Sequence, residues 1–183
     1  MISNKEIFII RHGESVANNL KIACGQLDYP LSNKGILQSK LLCKELNKIK
    51  FDIIYCSKLK RAKQTLNSLK NRKIKISEKL FEINNGEFSK FKVNYLHKKY
   101  PKYKFQGLNK KLKYPGGESL EIAINRIWKW FSKESIKWKK KRKILIVGHE
   151  LTVCAIIIKL LKLDLNNYPI FKINNCCGVK IIY

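Results

Sequence analysis

The stretch Glu6-Ile7-Phe8-Ile9-Ile10-Arg11-His12-Gly13 contains four consecutive apolar residues and then continues at once into Arg-His-Gly. A run as short as Ile7–Ile10, bounded by polar residues, is typical of a strand buried on both faces. A second such run, Ile144–Val147, is followed by Gly148 and His149. Ligands of open α/β sheets bind beyond the carboxyl ends of the strands. The two runs therefore predict a buried sheet with two imidazoles at its carboxyl edge.

Other segments alternate between β-like and helical patterns. Phe51–Tyr55 and Ile74–Ile76 are predicted strands, and two more β-like pieces lie around Ile170–Ile173 and Val179–Tyr183. Helices are predicted from a cap at Ser32 to about Asn47, from a cap at Ser57 through Leu69, after Gly117, and after His149. This alternation predicts an α/β fold, a three-layer sandwich with a mostly parallel central sheet and helices on both faces.

The segment from Ser89 to Tyr114 interrupts the alternation. It contains nine lysines, six aromatic residues and no acid. We expect it to form a short inserted lid over the strand ends. With 183 residues, of which 45% are hydrophobic, the chain is expected to form one domain over residues 1–183.

The composition is strongly basic. Lysine and arginine total 39 against 13 acids, which gives a formal net charge of +26. Such a charge indicates either a solvated surface produced by compositional drift or an anionic partner, such as a phosphorylated metabolite, a nucleic acid or an acidic membrane. Because no apolar run approaches the ~20 residues of a spanning helix, and the apolar stretch before Arg11 is too short for a signal peptide, we expect a cytoplasmic protein without a membrane partner.

The six cysteines show neither C-x-x-C spacing nor a histidine spacing that suits zinc. We therefore expect reduced thiols and no metal site.

Three further charged residues are predicted to reach the same edge as His12 and His149. Arg11 precedes His12, Arg61 lies early in the helix after the second strand, and Glu82 lies beyond the third strand. Guanidinium groups match phosphoryl oxygens, neutral imidazole is a nucleophile near pH 7, and a carboxylic acid in a dry pocket can protonate a leaving alkoxide. The set favours phosphoryl transfer without a metal.

Six motifs in order along most of the chain resemble those of the histidine phosphatase superfamily, in its phosphoglycerate-mutase-like branch. They are Arg11-His12-Gly13-Glu14-Ser15 with Asn18, the stretch Gly25–Ser32 with Gly35 and Gln38, Ser57–Ala62 with Thr65, Glu82–Phe88, Pro115–Ser119, and Val147-Gly148-His149. Two departures from the family pattern are Glu150, where glycine is frequent, and Ser89-Lys90 after Phe88. The carboxylate of Glu150 is expected to turn away from the substrate, which it would otherwise repel.

The resemblance implies a role for each matching residue. His12 would be the residue that is phosphorylated, His149 the second catalytic histidine and Glu82 the proton donor. Arg11, Arg61, Asn18 and His149 would hold the phosphate, and Ser15 and Gln26 are further candidates for phosphate binding. No cofactor and no metal are implied.

The chain is shorter than the mutases of this branch, so a phosphomonoester hydrolase is favoured over a phosphoglycerate-mutase-type phosphotransferase. The expected substrate is a small phosphorylated metabolite, with α-ribazole phosphate or a broad range of esters both open. A rival interpretation is a basic protein that binds RNA or single-stranded DNA through lysines and interleaved aromatics, although no specific nucleic-acid motif is present.

Overall fold

A computed structural model describes residues 5–70, 73–103, 110–139, 142–165, 168 and 171–182. Its strands are β1 (Glu6–Arg11), β2 (Ile53–Ser57), β3 (Ile74–Ser77), β4 (Lys143–Gly148) and β5 (Gly178–Ile182). Its α-helices are α1 (Val16–Asn19), α2 (Asn33–Leu46), α3 (Lys60–Thr65), α4 (Val93–Lys99), α5 (Leu120–Ser135) and α6 (Glu150–Leu160). Short 3₁₀ turns cover Glu78–Leu80, Gly86–Phe88, Pro101–Tyr103 and Ile136–Trp138.

The five strands form one sheet in the order β3-β2-β4-β1-β5. The pairs β3–β2, β2–β4 and β4–β1 are parallel, and β5 alone pairs antiparallel, along the free side of β1. The predicted mostly parallel sheet is therefore confirmed. Because β1 and β4 lie next to each other and run the same way, the residues that follow them meet at one edge.

Side chains from the two faces of the sheet enter two separate hydrophobic cores. Ile7, Ile9 and Ile146 pack on one face with residues of α5 and α6. Ile10 and Val147 pack on the other face with residues of α2 and α3. This alternation along each strand gives the predicted three layers, with helices covering both faces of the sheet.

Two local predictions are wrong. The helix expected from Ser57 through Leu69 spans only Lys60–Thr65. The N–H of Lys60 donates to Asp28 Oδ1, and Ser57 belongs to the end of β2. Residues 171–173, expected to be β-like, form no strand, because the edge of β1 is taken by β5. Ile170 and Tyr183, the outer ends of the two predicted C-terminal pieces, lie outside the described residues.

The described part of the expected lid contains α4 and the turn Pro101–Tyr103, while residues 104–109 lie outside the described ranges. Phe88 packs against this segment, with ring centroids 4.7 Å from Tyr100, 4.9 Å from Tyr103 and 5.7 Å from Tyr114. All six cysteines are free thiols. Among the described helices, none has the length and apolar character that crossing a membrane requires.

Candidate active site

The two predicted histidines lie side by side at the carboxyl edge of the sheet. His12 follows β1 and His149 follows β4, and these strands pair with Arg11 opposite Gly148. This register places the histidines level with each other, with ring centroids 5.1 Å apart. Only 4% of His12 and none of His149 is exposed. The fold thus brings two buried imidazole rings together.

The hydrogen bonds of His12 define its tautomer. Its Nδ1 lies 2.6 Å from the carbonyl oxygen of Gly13, which can only accept, so Nδ1 carries the proton. Its Nε2 is then unprotonated and accepts a hydrogen bond from Nε of Arg61 at 3.2 Å. Burial and the charge of Arg61 hold the pKa of His12 well below its ordinary value. His12 is therefore a neutral imidazole with Nε2 directed into the site.

Arg61 is fixed by the loop that precedes α2. Its Nη1 donates to the carbonyl oxygen of Leu27 and its Nη2 to that of Gly25, each at 2.8 Å. Only 1% of Arg61 is exposed. Buried guanidinium groups need such partners, and these main-chain oxygens hold the group beside His12 without cancelling its positive charge.

Arg11 is held from the side of the C-terminal segment. Its Nη1 donates to the carbonyl oxygen of Ile173 and lies 2.9 Å from Oε2 of Glu150. The other carboxylate oxygen of Glu150 accepts from the N–H of Ile173 at 3.3 Å. The Glu150 carboxylate, expected from the sequence to turn away from the substrate, is thus directed to Arg11 and ties it to residue 173.

His149 is oriented by Ser57 at the end of β2. Its Nε2 lies 2.9 Å from Ser57 Oγ, which also accepts from the N–H of Leu59 at 3.4 Å. The Ser57 hydroxyl can donate to Nε2, and with that direction of the bond the proton of the neutral ring lies on Nδ1. Burial, followed by the charge of Arg61, lowers the pKa of His149 well below its ordinary value.

Two buried side-chain nitrogens in the described part of the chain have no hydrogen-bond partner within the protein, Nε of Arg11 and Nδ1 of His149. Buried polar groups are nearly always satisfied, and unsatisfied ones concentrate where a ligand binds. Both nitrogens belong to predicted phosphate-binding residues. Their chemistry, a guanidinium N–H and an imidazole N–H, suits the oxygens of a phosphoryl group.

Asn18 is oriented by its neighbours in a way that leaves its amide nitrogen for a ligand. Its Oδ1 accepts from the N–H of Ser15 at 3.1 Å, from Ser15 Oγ at 3.0 Å and from Nδ2 of Asn175 at 3.3 Å. Three donors on one oxygen assign the oxygen side of the amide to the protein. The hydroxyl of Ser15 is engaged with Asn18, and Asn175 is a contributor that was not among the residues predicted from the sequence.

Glu82 lies in the loop after β3 and is half-buried. Its Oε1 accepts from the N–H of Ile83 at 3.0 Å. Burial raises the pKa of Glu82 and outweighs the lowering by the Ile83 N–H and by the charges of Arg61 and Arg11, and the carboxylate of Glu150 adds a smaller increase. The carboxyl group therefore keeps its proton to a higher pH than an exposed glutamate does.

Gln26 supports the loop of Glu82. Its Nε2 donates to the carbonyl oxygen of Glu82 at 3.0 Å and lies 3.4 Å from Oε2 of Glu118. Glu118 in turn pairs with Arg126 on α5. Arg126, which was not among the predicted site residues, lies eight residues after Glu118 on a helix whose sequence is otherwise that of an ordinary amphipathic helix.

In the ranges that the structure describes, His, Cys, Asp and Glu side chains form no group of three or more that could hold a metal ion. The charges that converge near His12 are instead the guanidinium groups of Arg11 and Arg61.

Comparison with known proteins places this geometry in a family. Residues 7–183 match the histidine phosphatase superfamily (branch 1). The chain is 32% identical to phosphoserine phosphatase 1 of Hydrogenobacter thermophilus, over 93% of this chain and 82% of that protein. It is also 32% identical to the 2,3-bisphosphoglycerate-dependent phosphoglycerate mutase of Buchnera aphidicola subsp. Cinara cedri, over 85% of this chain and 84% of that protein.

Solved structures share the fold. The α-ribazole phosphatase from Shigella flexneri superimposes with a TM-score of 0.85 at 24% identity, over 96% of this chain and 89% of that one. The structural superposition and the family match both cover almost the whole length of this chain. The protein therefore belongs to the histidine phosphatase superfamily, branch 1.

Proposed function

We propose that the protein is a phosphomonoester hydrolase that acts on a small phosphorylated metabolite through a phosphohistidine formed at His12. The observation that carries the proposal is the unprotonated Nε2 of His12, which accepts a hydrogen bond from Nε of the buried Arg61 at 3.2 Å and lies beside the neutral ring of His149. A neutral imidazole next to fixed cations is suited to attack an anionic phosphoryl group.

In the first step, Nε2 of His12 attacks phosphorus in line with the ester oxygen. A P–N bond forms and the P–O bond to the alcohol breaks. Arg61, Arg11 through Nε, His149 through Nδ1 and Asn18 through its amide nitrogen hold the three remaining oxygens. Protonated Glu82 gives its proton to the departing alkoxide, which leaves as the neutral alcohol.

In the second step, water attacks the phosphorus of phospho-His12. The carboxylate of Glu82, now without its proton, accepts one from the water, the P–N bond breaks and inorganic phosphate forms. The lone pair returns to Nε2 and Glu82 is again protonated. We propose that no metal is required, since two guanidinium groups can offset the charge that accumulates on the phosphoryl oxygens.

The alcohol part of the substrate is proposed to lie on the side of Gln26 and the lid segment 89–114. An open groove of about 660 Å³ there is lined by Gln26, Leu27, Asn84, Gly86, Glu87, Ser89, Lys90 and Phe91. Phosphoserine and α-ribazole phosphate, the substrates in the names of two relatives, are two esters to include in a phosphate-release screen. Phosphorylated sugars and p-nitrophenyl phosphate complete the set.

A mutase activity is the second candidate, because a phosphoglycerate mutase matches at 32% identity over most of the chain. A mutase must protect its phosphohistidine from water while the bound intermediate reorients. Incubation with 3-phosphoglycerate and 2,3-bisphosphoglycerate separates the two activities. We expect release of inorganic phosphate to exceed formation of 2-phosphoglycerate, and the reverse ratio would establish the mutase.

The phosphohistidine is tested by rapid quenching with a ³²P-labelled ester. The wild-type protein should trap one acid-labile, base-stable phosphate per chain, and His12→Ala should trap none and lose turnover of p-nitrophenyl phosphate. His97→Ala, which removes the third histidine of the chain, should still be labelled. Turnover without label, or label that persists in His12→Ala, would refute the proposal.

A further inference from the structure

Arg126 on α5 holds the main chain on the N-terminal side of the proposed acid. Its Nη1 donates to the carbonyl oxygens of Lys79 and Phe81, at 2.8 and 2.9 Å, and its Nη2 donates to the carbonyl oxygen of Glu82 at 3.2 Å. The guanidinium therefore bonds three main-chain oxygens within four residues of the loop that carries Glu82.

Glu118, at the end of the 115–118 loop, completes the arrangement. Its Oε1 accepts from Nε of Arg126 and its Oε2 from Nη2, both at 2.9 Å, which is a bidentate pair with each side chain 17% exposed. Oε2 also accepts from the N–H of Asn84 at 2.9 Å. The pair thus contacts the main chain on both sides of Glu82.

The loop has little other regular structure to fix it. Residues 81–85 lie between two 3₁₀ turns and belong to no helix or strand. A second set of main-chain bonds joins it to the 115–118 loop, with the N–H of Glu118 donating to the oxygen of Asn84 and the N–H of Glu87 to that of Pro115. Gly86, at φ +52°, lets the two loops touch, because a Cβ there would lie 1.9 Å from the oxygen of Pro115.

We infer that Arg126 and Glu118 are positioning residues for Glu82, holding its carboxyl group where it can protonate the leaving alcohol. The inference rests on the proposed hydrolase reaction and adds to it two residues that do not touch the phosphoryl group. The guanidinium of Arg126 donates to the main-chain oxygen of Glu82 and not to its carboxyl group. It therefore fixes the position of Glu82 while leaving the carboxyl oxygens available to the substrate. A displacement of about 1 Å in such a group is enough to lower a rate substantially.

Leaving-group dependence distinguishes this role from a structural one. An alkyl phosphate needs the acid, since its alkoxide is strongly basic, whereas 2,4-dinitrophenyl phosphate releases a weakly basic phenolate that needs little protonation. If Arg126 acts through Glu82, Arg126→Lys and Glu118→Gln should slow an alkyl ester about 10- to 100-fold and the dinitrophenyl ester less than about 3-fold. Lys129→Gln, which removes a positive charge from an exposed position of the same helix, should slow neither.

Two further measurements sharpen the test. Glu82→Gln should show the same selectivity, and the double variant Glu82→Gln/Arg126→Lys should be no slower on the alkyl ester than Glu82→Gln alone, because the arginine would then have no acid to place. Thermal unfolding of each variant reports the folded fraction. Arg126→Lys keeps the positive charge and loses the planar guanidinium, whereas Glu118→Gln keeps the shape of the partner and removes its charge. If the lysine variant does not fold, Glu118→Gln still tests the role of the pair.

The possible results distinguish failure of the positioning role from failure of the proposed hydrolase function. Equal losses on both esters, or losses of the double variant that multiply, would overturn the positioning role while leaving the hydrolase intact. A wild-type protein that hydrolyses neither ester would instead overturn the proposed function. Selective loss on the alkyl ester together with a non-additive double variant supports the inference.

Discussion

Ser57 Oγ lies 2.9 Å from Nε2 of His149, although the two residues are 92 positions apart in the chain. Ser57 ends β2, His149 follows β4, and these two strands are neighbours in the sheet. The hydroxyl is completely buried, as is the imidazole. The bond leaves Nδ1 of His149 without a partner among the described residues, so Ser57 determines which nitrogen of the ring is available for the proposed contact with a phosphoryl group.

Ser57→Ala should therefore impair catalysis more than stability. Without the hydroxyl, the ring of His149 can rotate and the wrong tautomer becomes accessible, and we expect kcat/KM for p-nitrophenyl phosphate to fall about 10- to 100-fold. The free energy of unfolding should fall by about 1–2 kcal/mol, the cost of one buried hydrogen bond. Steady-state kinetics and urea unfolding measure both. Ser135→Ala, at the far end of α5, is the control, and an unchanged kcat/KM in Ser57→Ala would contradict the assignment.

The sheet could be predicted because a buried parallel strand leaves a strong local signal. Ile7–Ile10 and Ile144–Val147 are apolar throughout, and each is followed by the histidine that it positions. Strand neighbours then bring together residues that sequence order separates. The predicted convergence of His12 and His149 needed only these two runs and the rule that parallel strands end at one edge.

The supporting residues could not be predicted because they depend on contacts between distant segments. Ser57 has the residue type and position of a helix cap, and only the pairing of β2 with β4 shows that it faces His149 instead. Arg126 and Asn175 look like ordinary surface residues in the sequence. Their roles come from main-chain oxygens of other loops, which carry no residue-type signal.

The raised pKa of Glu82 predicts a decrease in kcat/KM with rising pH. The mechanism needs the protonated carboxyl group, so kcat/KM for an alkyl phosphate should fall as the pH rises through the pKa of Glu82, above its ordinary value of 4.5. Arg11, Arg61, Glu150 and the N–H of Ile83 surround the group and contribute to this value. Burial and the charge of Arg61 hold the pKa of His12 well below 6.5, so His12 is neutral at and above that pH.

The same profile in Glu82→Gln provides the comparison. Since the ester itself ionises near pH 6, both proteins share the limb that belongs to the substrate. The decrease in kcat/KM that is caused by ionisation of Glu82 should be absent from Glu82→Gln. In the wild-type protein, this decrease should be small when the substrate is 2,4-dinitrophenyl phosphate. Profiles that coincide in shape for the two proteins with the alkyl ester would exclude Glu82 as the acid.

Glu150 places a negative charge 2.9 Å from the Arg11 guanidinium that is proposed to bind phosphate. Glu150→Gln removes the charge and keeps one acceptor oxygen in place of the two that contact Arg11 and the N–H of Ile173. We expect inorganic phosphate to inhibit the variant at a concentration several-fold lower, because a like charge near a dianion weakens its binding. The measurement is the inhibition constant of phosphate against p-nitrophenyl phosphate. Weaker inhibition would instead mean that the ion pair is needed to hold Arg11 in place.

Asn175 links the C-terminal segment to two residues of the site. Its Nδ2 donates to the carbonyl oxygen of His12 at 3.0 Å and lies 3.3 Å from Oδ1 of Asn18. In Asn175→Ala, Asn18 loses one of the three donors that orient its amide, so we expect KM for p-nitrophenyl phosphate to rise several-fold while kcat changes less. The free energy of unfolding should fall by about 1 kcal/mol.

The neighbouring Asn174→Ala is a matched control, because it removes the same side chain from an exposed position. Its KM and its unfolding free energy should equal those of the wild-type protein. Asn18→Ala provides the limit, since loss of the amide that is proposed to bind phosphate should raise KM at least as much as Asn175→Ala does. If Asn175→Ala raised KM further in a chain that already carries Asn18→Ala, the effect would have to pass through His12 rather than through the amide.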